Sequence, residues 1–238
     1  MFIKHKISIF ILLTIFLFSF GFGSYAANNP IESEQRIESY IYKMLNDYEN
    51  GNFKERNDLN SVHPQELLPD HRSISNNHIV ILYDNRKIGA NQFEATRVSI
   101  VKDLEQSNQT AKNGIVAFTT IVYNTLDKSD AFDYVMLTKI KGGIVRQDGN
   151  VSVSSLSFKY WVTGDAYNSS GVRQGLKGSS VDYNGELNNP KVGTTYYIGG
   201  PKDYYYCMGT YGSQIVGYMR VSLSNSSSFE STSAITSY

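Results

Sequence analysis

Four side chains could supply a catalytic thiolate and its base. Cys207 is the only cysteine of the chain, and the candidate bases are His63, His71 and His78. A working thiolate needs a histidine within hydrogen-bond reach and a third group that orients this histidine. Nothing in the spacing brings the histidines to Cys207, which lies in the segment YYYCMG, where a cysteine is typically a small buried apolar residue. The sequence therefore predicts a buried, unreactive cysteine and no catalytic residue.

The same histidines have atoms that suit a divalent metal. Their carboxylate neighbours are Glu66, Asp70 and Asp84. Seven and six residues separate the histidines, which matches no helical or knuckle spacing of zinc ligands, so we interpret them as solvated loop residues. A second acidic series lacks the glycine and the terminal glutamate of an EF-hand loop and is interpreted as a solvated turn. Its members are Asp127, Asp130 and Asp133. We expect no bound metal and no cofactor.

Ser99 and Lys102 match the Ser-x-x-Lys pattern of penicillin-binding enzymes by letter. In those enzymes the serine and the lysine share one face of a helix. Here they lie in a β-branched run, and in a strand two residues three positions apart point to opposite faces. The partner motifs Ser-Asp-Asn and Lys-Thr-Gly are also missing from the sequence. No motif therefore supports a specific enzyme.

The remaining candidate site is aromatic. Its proposed binding residues are Trp161, Tyr196, Tyr197, Tyr204, Tyr205, Tyr206 and Tyr211. Five of these tyrosines form two runs, at 196–197 and 204–206. Alternation along a strand places at least one tyrosine of each run on each face of the sheet. Outward rings on a rigid sheet lose little entropy on binding, which suits a sugar ring or a protein partner. The competing interpretation is that tyrosine is a good strand residue and that these rings cover a sheet edge.

These candidates lie in sequence that is rich in β-strand signals. Apolar runs bounded by turn residues predict strands at 78–83, 94–101, 115–125, 134–140, 151–162, 194–198, 203–208 and 214–223. Within the strand that contains Trp161, the apolar alternation slips by one residue at Ser154 and Ser155, which predicts a β-bulge in a long central strand. The pattern predicts a mainly β protein: an antiparallel β-sandwich, or a partly closed barrel, of about eight or nine strands.

One amphipathic helix should precede the strands. Asn29 and Pro30 suit the first two positions of a helix, and Glu32 stands where a capping box needs an acidic residue. Apolar residues from 37 to 48 recur at helical spacing, and Gly51 marks the end. We expect the apolar stripe to dock on the sheet.

The domain organisation follows from these elements and from the first 26 residues. It is predicted as a signal peptide at 1–26, a helix and polar loop at 27–78, an antiparallel β domain at 79–223 and a flexible tail at 224–238. The tail is rich in serine and threonine and too poor in apolar residues to offset the entropy of ordering.

The signal peptide is the clearest signal in the sequence. Lys4 and Lys6 form a positive region, residues 7–20 are predominantly apolar, and small residues precede Ala27. A membrane anchor is the alternative, but 14 residues cover about 21 Å as a helix and a bilayer core is about 30 Å thick. We therefore predict a secreted, extracellular protein that is cleaved after Ala26, with no stable membrane insertion after the signal is removed.

The charge of the mature chain limits its partners. It has 20 basic and 22 acidic side chains, a net charge of −2. Such a chain has no overall field that attracts nucleic acid, and no run of lysine or arginine supplies a local one. Because one cysteine cannot form an internal disulfide, stability must come from burial. The abundant asparagine, lysine and isoleucine, with the signal peptide, are typical of a secreted protein of a Gram-positive bacterium.

These observations favour a secreted, non-catalytic, tyrosine-rich protein that binds an extracellular or envelope ligand, either a glycan or a protein. Nucleic acid is not an expected partner. Two alternatives stay open, a secreted antibacterial or toxin-like effector and a hydrolase of an envelope polymer. The sequence does not identify the ligand.

Overall fold

The computed structural model describes residues 34–54, 56–57, 79–102, 114–128, 130, 132–148, 152–183, 185–210 and 212–236. Several sequence predictions lie outside these ranges. They are the signal peptide, the helix start at Asn29 to Glu32, the candidate bases His63, His71 and His78, and the candidate binding residue Tyr211.

The described chain is mainly β and contains one helix and one sheet. The helix is α1 (Glu34–Glu49). The strands are β1 (Arg56–Asn57), β2 (Ile79–Lys87), β3 (Gln92–Lys102), β4 (Gly114–Leu126), β5 (Tyr134–Gln147), β6 (Val153–Tyr167), β7 (Arg173–Val181), β8 (Leu187–Asn188), β9 (Thr195–Gly199), β10 (Tyr205–Cys207), β11 (Gln214–Leu223) and β12 (Ser228–Thr236).

All strand pairs are antiparallel except β1 with β2. The strand order is β1-β2-β3-β4-β5-β10-β6-β11-β12, with β9 attached to β5 and both β7 and β8 attached to β6. Because β1 and β12 do not pair, the sheet is not a closed barrel. The predicted antiparallel, mainly β character with one helix is thus confirmed, but the described residues form twelve strands rather than eight or nine.

The extra strands escape prediction for a physical reason. β1 and β8 have two residues each, and β7 has the sequence RQGLKGSSV, without apolar alternation. Most side chains of β7 are exposed, and the strand is fixed by its register along β6. Main-chain pairing to a neighbour, rather than burial of one face, therefore makes β7 a strand.

The predicted bulge in β6 is confirmed by its pairing with β11. Ser222 lies opposite Ser155, while the next residue, Leu223, lies opposite Val153, so Ser154 is the extra residue. Val153 and Leu156 are both buried on either side of it. The bulge therefore keeps the apolar residues of both halves of β6 in the core.

The sheet bends so that its β11–β12 end lies over β3 and β4. One core fills the space between, and its largest buried members include Tyr123, Phe158 and Phe229. Two glycines permit the close approach. A Cβ at Gly142 would meet Met219 Sδ at 2.6 Å, and a Cβ at Gly217 would meet Ile121 Cγ1 at 3.1 Å.

The flexible tail predicted at 224–238 is wrong for Ser228–Thr236, which form β12. Phe229 and Ile235 are buried, and the strand pairs along its whole length with β11. Its hydroxyls find partners inside the fold: Ser233 Oγ donates to the carbonyl oxygen of Ala95 at 2.8 Å, and Ser99 Oγ donates to Ser231 Oγ at 3.2 Å. Burial of a hydroxyl costs little free energy when the hydroxyl has a hydrogen-bond partner. A strand rich in serine and threonine can therefore cover a core.

Helix α1 docks on the opposite, outer face of β2–β5, as its apolar stripe predicted. Ile41, Met44 and Leu45 pack with a second cluster on the strands that includes Leu82 and Phe118. The helix ends at Glu49, close to the predicted stop at Gly51, whose φ of 71° is in the left-handed region that favours glycine. The helix covers only one end of this face. Within the described residues, no helix has the length and apolar composition needed to cross a bilayer.

Candidate functional site

The tyrosines and the tryptophan that the sequence singled out do not form one surface. Tyr196 and Tyr206 belong to the core between the two ends of the sheet. Tyr196 Oη accepts a hydrogen bond from the Lys191 backbone N–H at 3.1 Å, and burial, reinforced by nearby Asp203, raises the pKa of Tyr206 to about 12. These two rings therefore pack in the core, and that they bind a ligand stays a prediction.

The other candidates lie apart from one another. Trp161 is 46% exposed on β6, between Ser180 of β7 and Val216 of β11. Tyr204 and Tyr205 are half-buried before and within β10, and Tyr204 packs against the core. Tyr197 is also half-buried but lies on the outer face of β9, opposite Lys141 of β5.

Cys207 is buried, as the sequence predicted, with only 2% of its surface exposed. It lies opposite Tyr134, whose hydroxyl donates to Asp130 Oδ2 at 2.7 Å. Burial, together with this hydrogen bond, raises the pKa of Tyr134. Asp130 also pairs with Lys128 at 3.6 Å, so its carboxylate already has protein partners. Among the described residues no group of three or more histidine, cysteine, aspartate or glutamate side chains could hold a metal.

Sequence reasoning missed a pocket on the outer face of β2–β5, beyond the end that α1 covers. It is open to solvent and has a volume of about 840 Å³. Its charged lining residues are Arg86, Glu94, Lys139, Lys141 and Lys202. The neutral ones are Ile88, Gln92, Val122, Asn124, Met136 and Thr138. We call it the cationic pocket, because four cations and one carboxylate give its lining a net charge of +3.

Strand register brings these charges together. Arg86 of β2 lies opposite Glu94 of β3, and Glu94 lies opposite Val122 of β4. Val122 in turn lies opposite Lys139 of β5. Since side chains two apart in a strand share a face, Lys141 joins the same surface. The charges therefore come from strands that are distant in sequence and adjacent in the sheet.

Lys202 enters from the loop after β9, which lies close against β5. The Gly200 N–H donates to the carbonyl oxygen of Thr138 at 3.0 Å. A Cβ at Gly200 would meet Leu137 Cγ at 2.6 Å, so the approach needs glycine. Thr138 is the extra residue where the pairing of β4 with β5 shifts register, and its hydroxyl donates to the carbonyl oxygen of Val122 at 2.9 Å.

Glu94 is the counter-charge at the floor of the pocket. Its side chain is 5% exposed and accepts from Arg86 Nη2 at 2.8 Å and from Lys141 Nζ at 2.9 Å. Burial opposes ionisation of Glu94, but the neighbouring Lys141 and Arg86 outweigh it and lower its pKa. Glu94 is therefore held ionised by two of the four cations.

Comparison of the chain with family models, curated proteins and solved structures found no match.

The other two cations of the pocket form no ion pair with a described acidic residue, although the charge of Glu94 acts on Lys139 from a greater distance. Neither Lys139 nor Lys202 forms an ion pair there, and Lys139 Nζ lies 4.6 Å from the centroid of the Tyr197 ring. Burial, together with the charges of Lys141 and Lys202, lowers the pKa of Lys139. Lys139 thus carries a positive charge that lies near two others and is partly removed from water.

The wall of the pocket next to α1 is held by a tyrosine. The Arg86 guanidinium lies 3.4 Å from the centroid of the Tyr40 ring, and the Tyr40 hydroxyl donates to Asp84 Oδ2. Burial raises the pKa of Asp84 to about 6, although the charge of Arg86 opposes the shift. The helix therefore fixes Arg86 from one side while Glu94 fixes it from the other.

The arrangement suits binding more than bond cleavage. Glycosidic hydrolysis generally uses two carboxyl groups that flank the bond, and the pocket lining has one, which is already engaged in two ion pairs. The pocket offers cations, the amides of Gln92 and Asn124 and the apolar surface of Met136. Such a lining can hold a polar ligand, and its described residues include no second carboxyl group beside Glu94.

Proposed function

We propose that this is a secreted, non-catalytic protein that binds an extracellular or envelope ligand in the cationic pocket. The observation that carries the proposal is the pocket itself: a concave site on rigid strands, with cations, amides and apolar surface side by side. The Tyr197 ring does not line the pocket but lies 4.6 Å from Lys139 Nζ, which supports a place for this residue at its edge. Tyr204, Tyr205 and Trp161 lie elsewhere and are not part of the proposed site.

The bent sheet suits this role as a scaffold. We propose that its two ends act as the layers of a sandwich around the core, as the sequence predicted, with β12 hydrogen-bonded across to β3. A side chain on a strand that is packed from behind has little freedom to lose when a ligand binds. The pocket would therefore be largely formed before the ligand arrives.

A neutral block of the pocket tests the site without changing its charge. Asn124→Trp places a large ring among the lining residues, and Gln174→Trp is the matched control on the exposed strand β7. The mature chain that begins at Ala27 should sediment with isolated cell walls or extracellular polysaccharide, and Asn124→Trp should abolish this while Gln174→Trp should not. Equal retention of binding by both variants would refute the site.

The same preparation separates the proposal from its alternatives. A binding protein should not inhibit growth of neighbouring strains and should release no sugar from the polymer. Growth inhibition at low dose would instead support an effector, and release of reducing ends would support a hydrolase.

A further inference from the structure

We propose that the ligand of the cationic pocket is an anionic glycan, and that Lys139 and Lys202 bind its oxyanion, a phosphate or a carboxylate. This inference rests on the proposed function and adds the chemical class of the ligand. Four cations face one carboxylate in the lining, and that carboxylate is already shared between Arg86 and Lys141.

The first support is that the pocket lining contains more positive than negative charges. Outside the pocket, cations commonly have nearby acids: Arg173 Nε lies 2.8 Å from each carboxylate oxygen of Asp165, and Arg220 pairs with Glu230 at 3.2 Å. Lys139 and Lys202 form no such pair within the described chain, although both line one concavity. Like charges held together repel, and an anion between them would remove the repulsion.

The second support is that part of the positive charge in the pocket is shielded from water. Lys139 is half-buried with its Nζ 4.6 Å from the centroid of the Tyr197 ring, and the neighbouring Lys141 side chain is 13% exposed, whereas Lys202 is exposed. Attraction between opposite charges grows as water is excluded, so an oxyanion gains more here than at lysines on a convex surface. The ammonium groups of lysine suit phosphate and carboxylate alike.

The third support is the neutral part of the lining, which suits the sugar that carries the anion. The amides of Gln92 and Asn124 can donate to hydroxyls and accept from them. Met136 and Ile88 offer apolar surface to the ring carbons. An inorganic ion would use the two lysines and leave these groups unused.

Charge-neutral variants test the oxyanion contact. Lys139→Gln with Lys202→Gln removes the two pocket cations that form no ion pair within the described chain, and Lys159→Gln with Lys177→Gln removes the same charge at lysines outside the pocket lining. The probes are polygalacturonic acid, which carries carboxylates, phosphomannan, which carries phosphates, and neutral dextran. Binding is measured by isothermal titration calorimetry with the mature protein.

We expect one or both charged polymers to bind and dextran not to bind. Loss of two charged contacts should weaken binding at least about tenfold in the first double variant, and the control double variant should stay within about twofold of the wild type. Lys139→Arg with Lys202→Arg should restore binding, which a damaged fold could not do. Raising NaCl from about 50 mM to about 200 mM should weaken binding, because the contacts are electrostatic.

The outcomes separate this inference from the proposed function. If Asn124→Trp abolishes binding and the lysine variant does not, the pocket is the site but the oxyanion contact is refuted. If neither variant changes binding, both proposals are refuted. Binding of dextran as tightly as the charged polymers, or binding of neither charged polymer, would overturn the inference. Equal displacement by a single-stranded oligonucleotide would show that sugar groups are not recognised, and would overturn it as well.

Discussion

The ion pairs of Glu94 lead to a stability prediction that needs no ligand. Glu94→Gln keeps the shape of the side chain and removes the charge that Arg86 and Lys141 share. Removing one partner of a fully buried pair costs about 3–5 kcal/mol, because the remaining charge is left uncompensated. Here the Arg86 and Lys141 side chains are 23% and 13% exposed, so water compensates them in part. We therefore expect a loss of about 2–3 kcal/mol in the free energy of unfolding at pH 7.

Urea unfolding of the mature protein, followed by far-ultraviolet circular dichroism, measures this loss. Fluorescence is a weaker reporter, because the only tryptophan, Trp161, is already 46% exposed in the folded state. Asp182→Asn is the matched control: Asp182 pairs with Lys159 at 3.8 Å but is 89% exposed. An exposed pair of this kind should contribute no more than about 0.5 kcal/mol.

The dependence of this loss on pH checks its cause. The folded pKa of Glu94 lies below its ordinary value of 4.5, so its charge stabilises the fold above pH 4.5, and this contribution is lost as the pH falls through the folded pKa. The gap between wild type and Glu94→Gln should therefore be widest near pH 7 and should narrow in acid. Equal stability of the two proteins at pH 7, or a gap that does not change with pH, would refute the assignment of Glu94 as the counter-charge.

Four further predictions concern other parts of the molecule. Asp84→Asn should stabilise the protein by up to about 3 kcal/mol above pH 6 and have little effect below pH 3.8, because the folded pKa is raised from 3.8 to about 6; urea unfolding at pH 5 and pH 8 checks the sign. Phe229→Ala should lower the free energy of unfolding by about 3–5 kcal/mol, since Phe229 is a buried core residue of β12. A loss near zero would support the predicted flexible tail instead. Cys207→Ala should lower the free energy of unfolding by about 1 kcal/mol and leave ligand binding intact. Rapid labelling of the native thiol would contradict its burial. Protein from culture medium should begin at Ala27 on Edman sequencing, and an uncleaved chain retained in cells would remove the premise of secretion.

The elements with strong periodic patterns could be predicted from the sequence. The stripe of α1 and the bulge of β6 depend on burial of apolar residues at fixed intervals, which the sequence displays directly. β12 could not be predicted in this way, because its serine hydroxyls are satisfied by Ala95 and Ser99, residues more than 130 positions away. A hydroxyl in a sequence carries no sign of the partner that will make its burial possible.

The tyrosines illustrate how far alternation can be used. The runs at 196–197 and 204–206 place one ring toward the core and its neighbour away from it, as alternation requires. Alternation does not determine which ring faces the core, because that depends on which face the rest of the sheet covers. Tyr196 and Tyr206 are inside, and the Tyr197 ring lies 4.6 Å from Lys139 Nζ of the cationic pocket.

The cationic pocket could not be seen in the sequence because its charges are spread from Arg86 to Lys202 without any basic run. The full chain has no net formal charge, yet the lining of one pocket has a net charge of +3. The sequence argument considered neighbours along the chain, whereas strand pairing makes residues such as Glu94 and Lys141, on strands two apart in the sheet, neighbours in space. A nearly neutral chain can thus concentrate charge of one sign where its strands meet. Because such a field falls off within about 10 Å at ordinary salt, it acts on groups that enter the pocket and not on distant polymers.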